Sequence, residues 1–334
     1  MLKNDKSREI AKSLKHPKKS DLALLGPKNT FSDLAAADIK MPKYYARDIE
    51  EVFSVVEQGR VNKGLVPIEN KLQGSVRETM DALFTSKVHI TNEIRLPIHH
   101  CLITHKHTKK EDIRKVISHY QALGQCKKYL RRNFPKAEIQ TTTSTAAAIE
   151  KLNSANNHIA VIAPEIAATS GESAQNNHLK IFAKNIEDSK DNETIFVVIE
   201  KGELDFADTM TQSKSQIFSW EKYPRGHFLT DIMASQSASS KTAALPQSTT
   251  AVIPKTSIAF YFSHDKSGSL FTIFKIFKDA KINMTKVESR PTQVKFGQYI
   301  FYLDFEGHIS EPKIQKALSQ IATSVAKLKI LGSY

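Results

Sequence analysis

The sequence predicts an α/β protein in two parts: a two-lobed domain of alternating strands and helices crossed by hinge strands, then a small ferredoxin-like βαββαβ sandwich. Three observations predict this. From Asp21 to about Glu200, short apolar runs alternate with amphipathic stretches, the pattern of mainly parallel sheets flanked by helices. From Thr256 the order becomes strand, helix, strand, strand, helix, strand. Between them SQSASSKTAALPQSTT, residues 235–250, has little to bury and reads as a flexible linker. A chain of 334 residues has room for more than one core. The expected parts are a basic tail at 1–20, the α/β domain at 21–200, a linker at 201–254 and the sandwich at 255–334.

Each element follows from a local pattern. DLALLG is a short apolar strand, and TFSDLAAADI is an Ala-rich helix. DIEEVFSVVEQG sets Val52, Phe53, Val55 and Val56 at helical spacing and stops at Gly59. KGLVPIEN is a strand running into a loop, and SVRETMDALFTS is a helix. VHITNEIRLPIHHCLITH reads as one long extended segment, and KVISHY as a strand end. QALGQCKKYLRRNF is a helix with Cys126 as a small core residue, followed by the strand EIQTTT and the helix STAAAIEKLNSA. HIAVIAP is a strand, EIAATSG a helix and LKIFAKNI a strand. NETIFVVIE closes the domain with a β-branched apolar run, as a buried strand does. The long segment near 88–104 and the return at 179–200 act as hinge strands. One lobe then takes about 21–104 and 185–200, the other about 105–184, and the cleft between them is the default ligand site.

The sandwich reads as TSIAFYF (strand), SLFTIFKIFKDA (helix), INMTKVES and QYIFYLDFEG (strands), EPKIQKALSQIA (helix) and VAKLKILG (strand). Such a unit leaves a sheet face or edge bare, which predicts pairing with another copy.

Composition excludes several classes. The net charge is +13, but the lysines are spread along the chain and no basic stretch interleaves with aromatics. That pattern favours anionic small molecules over nucleic acid. No window has the apolar length of a membrane span, and the first twenty residues lack the apolar core of a secretory signal. Two cysteines, Cys101 and Cys126, stand in no metal-ligand spacing and suit a reducing cytoplasm. There is no glycine-rich nucleotide loop and no metal cluster to compete with a small-anion site. FSWEKYPRGHFLTDIMA, with the only tryptophan, Trp220, takes no assignment.

In doubly wound sheets ligands sit beyond the strand ends, against helix starts. Four such places offer polar groups: Thr30 and Ser32; Glu69, Asn70, Gly74 and Ser75; Ser118, His119, Gln121 and Gln125; and Thr142 to Thr145. Each alone is most often an ordinary cap. Together they make an anion cradle of free backbone N–H groups and helix dipoles.

At these residues a resemblance emerges. LLGPKNTFSDLAA, GLVPIENKLQGSVRETMDAL, ISHYQALGQCKKYL, TTSTAAA and NETIF, in this order, resemble the prephenate dehydratase family. SGSLFTIFKIFKDAKINMTKVESRP with YIFYLDFEGH resembles the ACT regulatory domain attached to those enzymes. The likeness covers 21–200 and 256–332. It implies a periplasmic-binding-protein-like (type II) catalytic domain and an ACT domain. The implied activity is loss of water and carbon dioxide from prephenate, giving phenylpyruvate for phenylalanine biosynthesis, without a cofactor. By the same resemblance Thr194, Asn70, Ser118 and Gln125 are catalytic, with Thr30, Ser75, Gln121, Thr145 and Phe196 binding substrate and His119 a further candidate acid. Gly268, Ser269 and Leu270, with Glu288, Ser289 and Arg290, would bind phenylalanine as effector between two ACT units of a homodimer or homotetramer.

The family's usual Thr-Arg-Phe is Thr194-Ile195-Phe196 here, and Asn29 stands where glycine is common. Arg77 or Lys28 would have to replace the missing guanidinium. Otherwise the chain is a weakened or inactive homologue that senses phenylalanine or an aromatic-pathway acid. Arogenate is the alternative substrate.

Overall fold

The computed structural model describes residues 17–154, 158–169, 178–204, 253–264, 266–292 and 298–334. Most of the basic tail and of the linker, with Trp220, lies outside them. The chain divides into two compact units, Met1–Lys201 and Gly202–Tyr334.

The first unit holds two sheets. The first contains β1 (Leu22–Leu25), β2 (Lys43–Ala46), β3 (Lys63–Asn70), β5 (Val88–Pro97) and β11 (Glu193–Lys201), in the order β5-β11-β3-β1-β2, with the two-residue β4 (Gly74–Ser75) on β3. Pairings of β1 with β2 and β3 are parallel, while β11 runs antiparallel to both β3 and β5. Helices α1 (Phe31–Ala35), α2 (Ile49–Glu57) and α3 (Arg77–Thr85) connect these strands. α2 starts where the Asp48 side chain accepts the Glu51 N–H at 2.8 Å, and it buries Ile49, Val52, Phe53, Val55 and Val56. Each buried side chain of that size contributes about 1.5–3 kcal/mol. Gly64 lets the helix approach: a Cβ there would stand 2.9 Å from Val52 Cγ1 and 3.0 Å from Val56 Cγ2.

The second sheet has β6 (Cys101–His105), β7 (Lys115–His119), β8 (Glu138–Thr142), β9 (Ile159–Ala163) and β10 (Leu179–Ala183), in the order β10-β6-β9-β7-β8. Both faces of its centre are covered, so β6 and β9 are buried along most of their length, whereas the edge strand β8 has no fully buried residue. Cys101, Ile103, Ile117 and Val161 pack under α6 (Thr145–Asn153) and α7 (Ile166–Thr169). Leu102, Val116, Ala160 and Ile162 pack under α4 (Tyr120–Gln125) and α5 (Lys127–Asn133).

The chain crosses between the sheets twice, and the crossings are paired. The Ile98 N–H donates to the Asn192 carbonyl at 2.9 Å, and the Ile186 N–H to the His100 carbonyl at 3.0 Å.

The second unit contains β12 (Lys255–Tyr261), α8 (Ser269–Asp279), β13 (Met284–Pro291), β14 (Tyr299–Glu306), α9 (Pro312–Ser324) and β15 (Lys327–Ser333). Its strands are ordered β13-β14-β12-β15, all antiparallel, which is the ferredoxin-like arrangement. Phe301, Leu303 and Phe305 of β14 meet Ile273 and Phe277 of α8 and Ile314, Leu318 and Ile321 of α9 in one core.

Four expectations change. The long segment at 88–104 breaks at Ile98–His100, and Cys101–His105 belongs to the second sheet, so the first crossing falls before residue 101. β2 was not foreseen in KYYA, because only Ala46 of that edge strand is buried and no apolar run announces it. α1 has only five residues of the expected ten. Cys126 is fully buried but sits at a break between α4 and α5.

Candidate active site

The site grows from the end of β3. Thr194 and Asn70 lie directly opposite each other on β11 and β3. The N–H groups of Leu72 and Gln73, in the turn after β3, donate to Asn70 Oδ1 at 3.1 and 3.2 Å. Two backbone donors on the oxygen fix which way the amide faces. Asn70 Nδ2 is thereby aimed at Thr194 Oγ1, 2.9 Å away, and at Asn192 Oδ1, 3.1 Å away.

From Asn192 the network enters the second lobe. Asn192 Nδ2 donates to Gln125 Oε1 at 3.2 Å, and His100 Nε2 approaches the same oxygen at 2.6 Å. Asn192 and His100 are both 2 % exposed, and Thr194 is 9 % exposed. A neutral amide chain thus runs through the joint between the sheets, from Thr194 to His100. Beyond it, Glu187 accepts the His100 N–H at 2.9 Å and meets His99 Nδ1 at 2.8 Å. Burial pushes the Glu187 carboxyl up, but these two partners overcome it and hold it below the ordinary value. Burial pushes His100 below the ordinary imidazole value, against the raising influence of Gln125.

A second bond joins the lobes nearer the surface: Gln121 Nε2 donates to Gln73 Oε1 at 2.7 Å. Thr30 stands at the start of α1, where a threonine ordinarily caps, yet its hydroxyl makes no cap bond and is buried without a partner. Asp33 supports that turn instead. It accepts the Asn29 N–H at 2.9 Å, Lys43 Nζ at 2.6 Å and the Tyr45 hydroxyl at 2.9 Å. Asn29 takes the left-handed φ of 66° that glycine would favour, and the Asp33 bond holds it there. The carboxylate, with Lys28, Asn29, Lys43, Tyr45 and Ile166, borders a cavity of about 460 Å³.

The structure thus brings Thr194, Asn70 and Gln125 into one network, with Gln121 across the cleft mouth. Two predicted residues are corrected. Ser118 is fully buried and its hydroxyl donates to the Ile162 carbonyl at 2.6 Å, tying β7 to β9, so it offers no hydrogen to a ligand. Phe196 is 2 % exposed in a core cluster with Leu22, Leu24, Leu65 and Leu96, a support beneath Thr194 rather than a wall of the cleft. Ser75 sits in β4 opposite Glu69, and Thr145 opens α6 beside Ser144, which caps it through the Ala147 N–H at 3.0 Å. His119 is half-buried with its ring 4.5 Å from Tyr120, and burial lowers its pKa.

Arg77 and Lys28 are the two candidates to replace the missing guanidinium. Both are exposed, Arg77 in the first turn of α3 and Lys28 on the cavity rim. Arg95 does stand directly across from Ile195 on β5, ion-paired with Glu93 at 2.8 Å and 3.7 Å from Glu193. Successive strand residues face opposite sides, so this charge lies on the sheet face away from Thr194.

In the second unit, Gly268 caps α8 with φ 86° and open space around its α-carbon, next to Ser269 and Leu270. Glu288 and Arg290 lie opposite Tyr302 and Ile300, on the sheet face away from the core row. Ser289 lies opposite Phe301 on the other face. One copy therefore splits the expected effector residues between two faces.

Sequence reasoning missed Asn192, His100 and Gln73. Asn192 opens the NETIF block and His100 lies in the long segment VHITNEIRLPIHHCLITH, but only the pairing of the two crossings turns them toward the amide chain. Among the described residues no group of three or more His, Cys, Asp or Glu is arranged to hold a metal, and no helix is long and apolar enough to cross a membrane.

Comparison with known proteins bears on the family and the fold. A family model described as prephenate dehydratase matches residues 22–204, and one for the ACT domain matches 256–323. A bifunctional chorismate mutase/prephenate dehydratase of Aquifex aeolicus is 34 % identical over 97 % of this chain and 76 % of its own length. A prephenate dehydratase of Methanocaldococcus jannaschii is 31 % identical over 92 % of this chain and 95 % of its own. The crystal structure of an Arthrobacter aurescens prephenate dehydratase in complex with L-Phe shares the fold, with a TM-score of 0.73 at 24 % identity, covering 94 % of this chain and 89 % of that one.

Proposed function

This chain belongs to the prephenate dehydratase family, and from that premise we propose that the amide-lined joint around Thr194 is where it converts prephenate to phenylpyruvate. The enzyme is a hydro-lyase. Its substrate is a dicarboxylate whose ring becomes aromatic as the hydroxyl and the carboxylate leave. The drive of aromatisation is intrinsic, so the protein has to bind the two carboxylates, align the breaking bonds and assist the departing hydroxyl.

The observation that carries this reading is the 2.9 Å bond from Asn70 to Thr194. Asn70 donates, so Thr194 Oγ1 accepts, and the hydroxyl's own hydrogen is left to face a ligand. It can hydrogen-bond the leaving oxygen and polarise it. A threonine is too weak an acid to supply a full proton, so stabilisation of developing charge is its share of the barrier. Thr30, whose buried hydroxyl has no partner, and Gln121 at the cleft mouth are the substrate contacts. Ile195 supports an intact rather than a weakened enzyme, because it faces Arg95 and Glu69 and not the Thr194 side.

Phenylalanine is the effector in this reading. With Glu288 and Arg290 on one face and the α8 start beside the other, a second copy would complete the site, in a homodimer or homotetramer. Both cysteines are free and buried, which suits a chain kept reduced in the cytoplasm.

Assay of purified protein with prephenate and with arogenate, with and without phenylalanine, tests all of this. Phenylpyruvate formation from prephenate, inhibited by phenylalanine, is the expected result. Absence of turnover in a folded protein rejects it.

A further inference from the structure

The polarity of the amide chain is set at one end by backbone. Because Leu72 and Gln73 donate to Asn70 Oδ1, Asn70 Nδ2 must face Asn192, which meets it with Oδ1. Asn192 is then left with Nδ2 toward Gln125 Oε1, 3.2 Å away. Gln125 Oε1 can only accept, so the ring nitrogen 2.6 Å from it, His100 Nε2, must carry the proton. His100 Nδ1 is buried without a partner, which suits a bare acceptor. The other tautomer, or an imidazolium, would leave a buried N–H with no acceptor there.

We propose that Asn192 is a positioning residue: it carries the polarity fixed at Asn70 across the joint to Gln125 in the second lobe, and so ties the lobe that bears Asn70 and Thr194 to the one that bears Gln125 and His100. Asn192 touches no reacting atom. It is buried in the hinge, its carbonyl takes the Ile98 N–H, and its side chain bridges residues from both lobes. The inference rests on the functional reading above for its catalytic consequence, and on hydrogen bonding alone for its structural one.

The test uses ¹⁵N-histidine NMR of the full-length protein at about pH 7.5, with the His100 signal identified by its loss in His100→Gln. The wild-type ring is expected neutral and protonated on Nε2. Asn192→Asp replaces the amide with a group that only accepts. Gln125 must then turn its NH2 toward residue 192 and His100, and the His100 proton moves to Nδ1. With prephenate, kcat of Asn192→Asp is expected to fall about 10- to 100-fold while KM stays within about threefold. A wild-type His100 protonated on Nδ1, or doubly protonated, overturns the proposal, and so does Asn192→Asp with unchanged tautomer or wild-type kcat. If Asn192→Asp does not fold, the wild-type tautomer decides alone. Failure of the wild type to turn over prephenate counts against the proposed function and leaves the tautomer reading standing as a separate result.

Discussion

Two polar clusters are buried in the first unit, and they are built in opposite ways. Around Asp33 the chain uses charge: one carboxylate, 3 % exposed, gathers Lys43, Tyr45 and the Asn29 N–H. Around Thr194 it uses neutral amides, each giving on one side and accepting on the other. An ion pair is strong but indifferent to which way a neighbour's hydrogens point. An amide chain is weaker link by link, yet it has a direction. The ionic cluster therefore suits a turn that has to stay put, and the amide chain suits a hydroxyl whose hydrogen has to be presented to one side.

The largest effect should come from the directional cluster. Thr194→Val keeps the shape and removes the hydroxyl; kcat with prephenate is expected to fall about a hundredfold or more, with an unchanged thermal melt. Wild-type turnover in this variant would break the comparison at its centre.

The ionic cluster should respond in stability instead. Asp33→Asn leaves Lys43 without its charge partner and is expected to cost about 2 kcal/mol in urea unfolding, below the full loss for an entirely buried pair because Lys43 is part-exposed. Activity should fall less than in Thr194→Val, through slackening of the turn that carries Thr30.

Acid sharpens the same distinction. Burial pushes the Asp33 carboxyl up, but Lys43, the Asn29 N–H and Tyr45 more than compensate, so its folded pKa lies below the ordinary aspartate value. A depressed carboxyl stabilises the fold fully above its unfolded value and loses that contribution as pH falls through its folded value. The stability gap between wild type and Asp33→Asn is therefore expected to be constant at neutral pH and to shrink below about pH 4. Melts across that range measure it.

The smallest effect is expected at Ile195. An arginine there would sit between Glu69 and Arg95, on the face away from Thr194. Ile195→Arg should change kcat/KM by less than about threefold. A much larger gain would mean that the guanidinium reaches the substrate.

The sequence carried the architecture further than it carried the site. Apolar runs announced the strands of both sheets except the two-residue β4 and the edge strand β2, three of whose four residues are part-exposed, and they merged β5 with β6. The helix start of GPKNTFS and the strand end of GLVPIEN located Thr30 and Asn70, because polar residues at such ends stand out against apolar neighbours; Thr194 was picked out only by the resemblance of NETIF. Ser118 and Phe196 stood in equally distinctive blocks, but a block does not say which way a side chain turns. The register shift between Ile195 and Phe196, and the pairing of β7 with β9, decide that. Asn192 and His100 were illegible for a related reason. They lie 92 residues apart in the chain, and only the closing of the two crossings brings each to Gln125.

Those paired crossings bear on how the protein opens. Ile98 is bonded to Asn192 and Ile186 to His100, so neither strand of the hinge can bend without dragging the other. Bending at this place strains the 3.2 Å contact between Asn192 and Gln125 before it disturbs either sheet. Thr194 and Asn70 pair within one sheet, so such bending is expected to carry Gln125 away while the hydroxyl keeps its alignment for the next visitor.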